Sequence, residues 1–182
     1  MSQKNYNIEI IHTLLRSENH IRGLAKILKT NQTTISRKTK ELAGYNVVDF
    51  KEQGKNKIAF LKKTLEAKQY ACIAELYKAI EIIKRYPLLR RIFTEIKRDN
   101  EIHLAALFGS YAKGIAKDKS DIDIYIDATK KEIKERIELL DSSINVKIGR
   151  YNKESPLIKE IEKNHIIIKG VEAYYEKSKF FD

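Results

Sequence analysis

Apolar residues in the first 45 positions recur every three or four residues, which is the spacing of one face of an α-helix. Three helices are predicted on this basis, over residues 6–15, 21–28 and 32–43. Gly44 ends the third helix, and two short apolar strands, 47–50 and 58–61, then flank a polar, lysine-containing turn. The pattern therefore predicts a three-helix unit closed by a β-hairpin with a basic tip.

A long stretch from Thr64 to Arg85 contains neither glycine nor proline and keeps the helical spacing of apolar residues. It predicts one long amphipathic helix that links the two halves of the chain. Tyr86 and Pro87 end this helix, because the residue before a proline is disfavoured in the helical region. Pro87 can itself begin the next helix, which is predicted to run to Lys97.

The second half of the chain mixes strand and helix patterns. Strands are predicted at 102–108, 121–126 and 143–148, a turn and short helix at 109–114, helices at 130–140, 156–163 and 171–177, and a short buried element at 166–168. The predicted fold class is α/β (α+β). The predicted domains are an N-terminal helical and hairpin unit (1–63), a linker helix (64–87) and a C-terminal domain with a small sheet and flanking helices (88–182).

The net charge of +11 and the pI of about 9.5 favour polyanionic partners, since lysine and arginine that neutralise phosphates release condensed counterions. A surface rich in lysine and glutamate, of the kind found in thermophile proteins, is the alternative explanation. The N-terminus lacks the order of charged and apolar residues found in a secretory signal, and no apolar stretch is long enough to cross a bilayer. We expect a cytoplasmic protein with no membrane partner, and its single cysteine forms no internal disulfide.

Four residues of the second half form a candidate nucleotide site. Gly109 and Ser110 follow an apolar strand at a turn where a helix begins, so backbone N–H groups point outward and the glycine leaves room for a phosphate. Asp121 and Asp123 lie two positions apart in the next predicted strand, which places both carboxylates on one face. Carboxylates beside bound phosphates are a usual ligand set for magnesium. The pattern predicts a site for a nucleoside triphosphate and a divalent cation.

Gly109-Ser110, separated by ten residues from Asp121-Ile122-Asp123, resembles the motif of the DNA polymerase beta-like nucleotidyltransferase superfamily, in particular its minimal nucleotidyltransferase branch. The resemblance covers roughly residues 88–182. It implies a small mixed sheet with helices on one side, and ATP or another NTP bound through Gly109 and Ser110. It also implies Mg²⁺ or Mn²⁺ bound by Asp121 and Asp123 as the catalytic residues.

The third strand departs from the pattern of this family. The family commonly has a third carboxylate there, which helps to bind the catalytic metal and can activate the attacking hydroxyl, but Asn145 stands at the expected position. An amide cannot act as a general base, a contribution that is typically 10²–10⁴-fold. Asp141 is the alternative carboxylate, although a shift of four residues places it at the edge of the sheet. The sequence leaves both a working and a degenerate transferase open.

The three helices and hairpin of residues 5–62 resemble a winged helix-turn-helix, which implies that the third helix enters the major groove of double-stranded DNA. The residues implied to contact DNA are Gln32, Thr33, Thr34, Ser36 and Arg37 in the groove, Lys38 and Lys40 near phosphates, and Lys55 and Lys57 on the wing tip. A protein–protein module with a solvated basic face is the alternative. A homodimer formed through the linker helix would present two recognition helices.

These features support two hypotheses for function. In the first, the protein is an enzyme that transfers a nucleoside monophosphate to a hydroxyl acceptor. The family resemblance implies one acceptor class, a HEPN-type ribonuclease toxin that an antitoxin-type transferase modifies, and small molecules are another. In the second, the protein is a DNA-binding transcription regulator whose degenerate transferase domain senses nucleotide, as Asn145 suggests. A self-regulating antitoxin would combine both.

Overall fold

The computed structural model describes residues 5–54 and 56–182. Contacts between Cα atoms divide the chain into two compact units. The N-terminal unit comprises the residues up to Glu75 together with Phe181–Asp182, and the C-terminal unit comprises Leu76–Phe180. Each unit has its own β-sheet and its own set of buried apolar residues.

The N-terminal unit is a winged helix-turn-helix. Its elements are α1 (Tyr6–Leu14), β1 (Asn19–His20), α2 (Ile21–Ile27), α3 (Gln32–Gly44), β2 (Val48–Gln53) and β3 (Asn56–Leu61). The strands form an antiparallel sheet in the order β1-β3-β2, in which β2 and β3 are the two strands of the wing. Helix α3 packs against α1 and α2 through its buried residues Ile35, Thr39 and Leu42. This order of elements confirms the predicted fold of the first half.

Strand β1 is an element that the sequence pattern does not predict. Asn19 and His20 lie in a polar segment between two helices, and two residues are too few to show an alternation of apolar and polar positions. Their strand character comes from antiparallel pairing with Ala59 and Ile58 of β3. A contact between segments 40 residues apart therefore decides the local structure.

Helix α4 (Leu65–Arg85) is the long helix that the apolar spacing predicts. It contributes residues to both units, since the division falls between Glu75 and Leu76. One of its faces is buried and consists mainly of small side chains, namely Ala67, Ala71, Cys72, Ala74, Ala79 and Ile82. Within residues 5–54 and 56–182, neither this helix nor a shorter one is long and apolar enough to cross a membrane.

The C-terminal unit contains a small mixed sheet with flanking helices. Its elements after α4 are α5 (Leu89–Arg98), β4 (Ala105–Leu107), α6 (Gly109–Ala112), β5 (Ile122–Ile126), α7 (Lys131–Glu138), β6 (Ile144–Ile148), α8 (Pro156–Lys163), β7 (Ile166–Lys169) and α9 (Val171–Ser178). The strand order is β6-β5-β4-β7, and β5 pairs with β6 in parallel whereas the other pairs are antiparallel. The predicted mixed α and β class is confirmed.

Alternation along β5 and β6 gives the sheet an apolar face and a polar one. Ile122, Ile124 and Ile126 of β5 lie in one cluster with Ile144 and Val146 of β6. Helices α5 and α7 cover this face with buried residues, which are Leu89, Ile92, Phe93, Ile96, Ile133 and Ile137. The side chains between these positions on the two strands belong to the opposite face, where the candidate site lies.

Some elements differ in length from the sequence-based prediction. Strand β4 spans only Ala105–Leu107, although Ile102 and Leu104 before it are buried. Helix α5 begins at Leu89 rather than at Pro87. Before β4, apolar residues indicate burial, but burial alone does not require that the backbone be paired in a sheet. Before α5, Pro87 and Leu88 are exposed and form a turn, in which the N–H of Leu89 donates a hydrogen bond to the carbonyl of Tyr86.

Candidate nucleotide site and DNA-binding surface

The turn between β4 and α6 brings the backbone of a glycine against a carboxylate. Gly109 has a φ of +69°, in the left-handed region that favours glycine. A Cβ atom at this position would lie 2.3 Å from Asp123 Oδ2, which is far inside van der Waals contact. The N–H of Phe108 also donates a 2.9 Å hydrogen bond to the backbone carbonyl of Asp123. A residue larger than glycine would displace the Asp123 side chain.

Asp121 and Asp123 lie two residues apart at the beginning of β5. Asp121 immediately precedes the strand and is exposed, whereas Asp123 lies within it and is half-buried. Ile122 between them and Ile124 after them belong to the apolar core. Because side chains alternate along an extended backbone, both carboxylates lie on the polar face of the sheet.

Strand β6 places Asn145 directly beside Asp123. The parallel register pairs these two residues, and Asn145 Nδ2 donates a 3.0 Å hydrogen bond to Asp123 Oδ1. A neutral donor therefore lies where the family resemblance implies a third carboxylate. Asp141, the alternative carboxylate, accepts hydrogen bonds from the Ser143 N–H at 2.9 Å and from the Ser143 hydroxyl at 2.7 Å, in the segment before β6.

The surroundings of Asp123 raise the pKa of its carboxyl group. Burial is the largest cause, because it disfavours the charged form. The negative charges of Asp121 and Glu160 act in the same direction, whereas the hydrogen bond from Asn145 and the charge of Lys147 oppose the shift. A cation bound beside Asp121 and Asp123 would favour the charged form of the carboxylate, since it would offset both burial and repulsion.

The chemistry of the donor set fits a cation that arrives together with phosphate groups. In the part of the chain that the structure describes, no group of three or more His, Cys, Asp or Glu side chains is arranged to hold a metal ion. Magnesium is usually bound by one or two carboxylates, with water and substrate phosphates at its other positions. Asp121 and Asp123 match this requirement, and they do not form a closed metal site made of protein ligands alone.

Two charged residues near Asp123 are absent from the sequence-based prediction. Lys147 lies on β6 two positions after Asn145, so it shares the polar face, and strand alternation could have identified it. Glu160 lies on α8, and its Oε1 atom is 3.9 Å from Nζ of Lys113 at the end of α6. No sequence pattern indicates Glu160, because its position depends on how α8 packs in the folded unit.

Helix α3 presents a polar face beside its buried one. Its first turn is capped by Asn31, whose Oδ1 accepts a 2.7 Å hydrogen bond from the N–H of Thr34. The predicted DNA-contacting residues of α3 all lie outside the core: Gln32, Thr33, Arg37 and Lys40 are exposed, and Thr34, Ser36 and Lys38 are half-buried. An exposed polar face on the second helix of a helix-turn-helix is the arrangement that major-groove recognition uses.

The predicted phosphate-contacting lysines differ in their surroundings. Lys38 Nζ forms a 2.9 Å ion pair with Glu41 Oε2 on the same helix. On the wing, Lys57 Nζ lies 4.6 Å from the ring centroid of Phe50. Lys55, also predicted for the wing tip, lies outside the residues that the structure describes. Arg37 and Lys40 remain the exposed cations of α3.

Comparison with known proteins gives one family match, which lies within the C-terminal unit. Residues 90–172 match the family described as Polymerase beta, Nucleotidyltransferase. The matched segment includes Gly109, Ser110, Asp121 and Asp123. A search of curated proteins found no match.

Two solved structures of bacterial proteins are similar to part of the chain. Reduced HlyU from Vibrio cholerae N16961 is 19% identical with a TM-score of 0.37, over 41% of this chain and 78% of HlyU. The adhesin competence repressor AdcR from Streptococcus pyogenes is 18% identical with a TM-score of 0.42, over 50% of this chain and 68% of AdcR. Because both scores are below 0.5, we assign the N-terminal fold from its own element order. The chain thus joins an N-terminal winged helix-turn-helix to a C-terminal unit in which residues 90–172 match the polymerase beta nucleotidyltransferase family.

Proposed function

We propose that this protein transfers a nucleoside monophosphate, with ATP as the preferred donor, to a hydroxyl acceptor and releases pyrophosphate. The observation that carries the proposal is the convergence of Gly109, Asp121 and Asp123 on the polar face of the C-terminal sheet. Gly109 packs so closely on Asp123 that a Cβ atom would lie 2.3 Å from the carboxylate. A triphosphate bound at the turn would therefore lie next to the two carboxylates.

Each residue of the site has a distinct role in the proposed reaction. The backbone of Gly109 and the backbone and hydroxyl of Ser110 bind phosphate oxygens, which positions the α-phosphate for in-line attack. Asp121 and Asp123 are the ligands for Mg²⁺ or Mn²⁺, which when bound neutralises the triphosphate and helps the pyrophosphate to leave. Asn145 orients Asp123 through its 3.0 Å hydrogen bond. Lys147, on the same face, is placed to attract an anionic substrate.

A neutral Asn145 implies slow turnover. Without a third carboxylate, the attacking hydroxyl lacks a strong general base, a contribution that is typically 10²–10⁴-fold. A slow transferase suits a regulatory modification, in which one transfer changes the state of a macromolecule, better than it suits the processing of an abundant metabolite. We therefore propose a protein hydroxyl as the acceptor, as in an antitoxin-type transferase that modifies a HEPN-type toxin.

The winged helix-turn-helix is proposed to bind double-stranded DNA through α3. Arg37 and Lys40 are exposed on this helix, and the net charge of +11 adds a long-range attraction to DNA. Gln32 and Thr33, exposed at the start of α3, are positioned to contact base edges. The DNA-binding role is separate from the transferase chemistry, so variants of either domain can be assayed for both activities.

A transcription regulator that senses nucleotide is the second candidate function, and the Asn145–Asp123 hydrogen bond favours it. The loss of one carboxylate impairs turnover more than nucleotide binding, so a domain with Asn145 could retain only the binding step. In that case nucleotide would alter the affinity of the winged helix for DNA. The transferase needs the carboxylates of Asp121 and Asp123 to form its product, whereas the sensor needs them for the effect of nucleotide on DNA affinity.

The experiment that tests the proposal is incubation of the protein with ATP labelled at the α-phosphate. Reactions contain Mg²⁺ or Mn²⁺, with and without host lysate, and the Asp121→Ala/Asp123→Ala variant is the control. We expect more label on a protein or nucleic acid than lysate alone gives, and this increase should occur with the wild-type chain only. Nucleotide binding without transfer under either metal would reject the transferase and favour the sensor.

Measurement of DNA affinity with the same variant separates the two functions further. If the protein is a transferase, Asp121→Ala/Asp123→Ala abolishes the product and leaves DNA binding intact. If it is a sensor, the same substitutions remove the effect of ATP on DNA affinity. A protein that shows both behaviours would be a self-regulating transferase.

A further inference from the structure

A short loop, residues 114–120, connects the two parts of the candidate nucleotide site. It begins just after α6, which carries Ser110, and it ends next to Asp121, immediately before β5. Near its start, the N–H of Ile115 donates a 3.1 Å hydrogen bond to the carbonyl of Ser110. The side chains of this loop therefore border the site without belonging to its phosphate or metal ligands.

Ile115 is an exposed apolar residue at this border. Its exposed fraction is 67%, whereas the next residue, Ala116, packs against the apolar core. Single exposed aliphatic residues are common on protein surfaces, so Ile115 alone indicates little. An apolar patch that is surrounded by polar residues does mark an interaction surface. The question is which residues lie around Ile115.

The segment that follows α4 lies against the start of the loop and adds a second exposed aliphatic residue. A Cβ atom built on Gly114 would lie 2.9 Å from a terminal nitrogen of Arg85, and the ring of Tyr86 packs edge-on against Tyr111 of α6 at 4.9 Å between centroids. Leu88, two residues after Tyr86, is 51% exposed. The chain thus brings an exposed leucine and an arginine to the side of the loop.

The loop also carries exposed cations. Lys117 and Lys119 are exposed, with the exposed Asp118 between them, and Arg85 is exposed as well. The backbone here is fixed by two 2.9 Å hydrogen bonds, from the N–H of Ser120 to the carbonyl of Lys117 and from the N–H of Lys117 to the Ser120 hydroxyl. Three cations against one carboxylate make the surface complementary to an acidic partner.

The combination of apolar and cationic side chains favours a protein partner over a nucleic acid. Contacts to a nucleic-acid backbone use cations and polar groups, so they leave Ile115 and Leu88 without a role. Protein interfaces bury apolar side chains at their centre, are enriched in arginine, and have a polar rim. Ile115 and Leu88 with the nearby Arg85 match this composition.

We propose that Ile115, Leu88, Arg85 and Lys117 form the docking surface for the protein that accepts the nucleotide. This inference rests on the proposed function, and all four residues lie within the C-terminal unit. The acceptor presents an apolar side chain to Ile115 and acidic residues to the cations, which brings its hydroxyl to the border of the site. The hydroxyl oxygen then bonds to the α-phosphorus, pyrophosphate leaves with the oxygen that bridged it to that phosphorus, and the hydroxyl proton passes to solvent.

The test measures transfer from ATP labelled at the α-phosphate to lysate proteins, counted above lysate alone, together with calorimetric titration with Mg-ATP. Ile115→Asp should lower the initial rate at limiting lysate by about tenfold or more, as expected for the loss of a central apolar contact, and should bind Mg-ATP like the wild type. Ile115→Leu should retain transfer because its side chain stays apolar. The control is Ile27→Asp, at a position that is 54% exposed in the N-terminal unit.

The charge of the surface is tested with a defined acidic polymer. Polyglutamate, added at a constant concentration of free Mg²⁺, should inhibit transfer by the wild type more strongly than transfer by Lys117→Glu. Lys117→Glu should itself transfer more slowly to lysate proteins, with unchanged affinity for Mg-ATP. Equal inhibition of both chains would overturn the proposed contact between Lys117 and acidic residues.

The remaining outcomes separate this inference from the proposed function. Transfer by Ile115→Asp at the wild-type rate would overturn the docking surface and leave nucleotidyl transfer standing. Loss of Mg-ATP binding in Ile115→Asp would also overturn it, since the loop would then act on the nucleotide. Labelled product that nuclease digests and protease leaves intact would show a nucleic-acid acceptor instead. The absence of label with the wild-type chain would reject the proposed function, and the docking surface with it.

Discussion

Asn145 Nδ2 donates a 3.0 Å hydrogen bond to Asp123 Oδ1 across the parallel pair β5 and β6. The bond favours the charged form of a carboxylate whose pKa is raised by burial and by the neighbouring Asp121. When no cation is bound, the hydrogen bond from Asn145 thus partly offsets the effect of burial and of Asp121, which disfavour the charged form of the Asp123 carboxylate. An aspartate at position 145 would instead add a third negative charge.

The first prediction concerns this pair. Asn145→Asp should weaken the fold in the presence of a chelator, because two carboxylates would face each other across the strands. It should also speed nucleotidyl transfer, by about 10²–10⁴-fold if the missing general base limits the rate. Transfer rates and melting temperatures with and without Mg²⁺ measure both effects. Asn145→Ser is the matched control and should not speed transfer, and equal rates for Asn145→Asp and wild type would show that Asn145 does not limit catalysis.

The second prediction concerns the contact between Gly109 and Asp123. Gly109→Ala should destabilise the protein by about 1–2 kcal/mol, the cost of a left-handed backbone for a residue with a Cβ atom. It should also abolish detectable nucleotide binding, since the new methyl group would displace the Asp123 carboxylate. Calorimetric titration with Mg-ATP and chemical unfolding measure the two effects.

Gly149→Ala is the control for that substitution, because Gly149 lies in the same unit and a Cβ atom built there would meet nothing within 4 Å. We expect this variant to bind nucleotide like the wild type. Full nucleotide affinity in Gly109→Ala would mean that the turn does not contact the triphosphate.

The third prediction concerns DNA recognition by α3. Arg37→Ala should cost about 1–3 kcal/mol of binding free energy at a specific DNA site. Lys40→Ala should weaken binding to all DNA sequences, and it should reduce the slope of log affinity against log salt concentration by about one, the loss of one phosphate contact. Lys131→Ala, at an exposed position on α7, should change neither. Fluorescence anisotropy over a range of salt concentrations measures these effects. Unchanged affinity in both α3 variants would favour the protein–protein alternative for this module.

The fourth prediction concerns pH and the packing of α1 on α3. Glu41 accepts hydrogen bonds from Lys38 Nζ at 2.9 Å and from Asn7 Nδ2 at 2.8 Å. Both bonds lower the pKa of the Glu41 carboxyl group from its usual 4.5, and the bond from Lys38 has the larger effect. A lowered pKa in the folded state gives stability that is present above the unfolded-state pKa and is lost as the pH falls through the folded-state value.

Glu41→Gln should therefore be less stable than wild type at neutral pH, and this difference should shrink as the pH falls below about 4.5. Thermal melts followed by circular dichroism at several pH values measure it. Glu132→Gln, an exposed substitution on α7, is the control. A stability difference that stays constant down to low pH would mean that the ionisation of Glu41 contributes nothing to the fold.

Local patterns account for most of the fold. Helix α8 has the predicted bounds, 156–163, because Pro156 begins it and apolar residues recur at helical spacing. Helix α4 begins at Leu65, one residue after the predicted start, and ends at Arg85 as predicted. The agreement is close because this segment contains neither glycine nor proline. By contrast, β1 depends on pairing with β3, 40 residues away, and no local pattern indicates a two-residue strand.

The same distinction applies to the candidate site. The spacing of Gly109, Asp121 and Asp123 could be recognised from the sequence, but the near-contact between Gly109 and the Asp123 carboxylate depends on the packing of α6 on β5. The direction of the Asn145 amide also depends on the parallel register of β5 and β6. Glu160 reaches the site from α8, more than 30 residues beyond Asp123, so only the folded unit reveals it. The roles of these residues in binding and catalysis stay predictions.

The most direct measurement of the proposed activity compares ATP labelled at the α-phosphate with ATP labelled at the γ-phosphate in parallel reactions with lysate. We predict that the α label becomes covalently attached to a macromolecule and that the γ label is recovered as pyrophosphate. The labels are counted as the increase over lysate without the protein, and the Asp121→Ala/Asp123→Ala variant should give no increase of either label. An increase in attached γ label with the wild-type chain would contradict nucleotidyl transfer. No increase in attached α label, in reactions where ATP changes the affinity of the protein for DNA, would also contradict it.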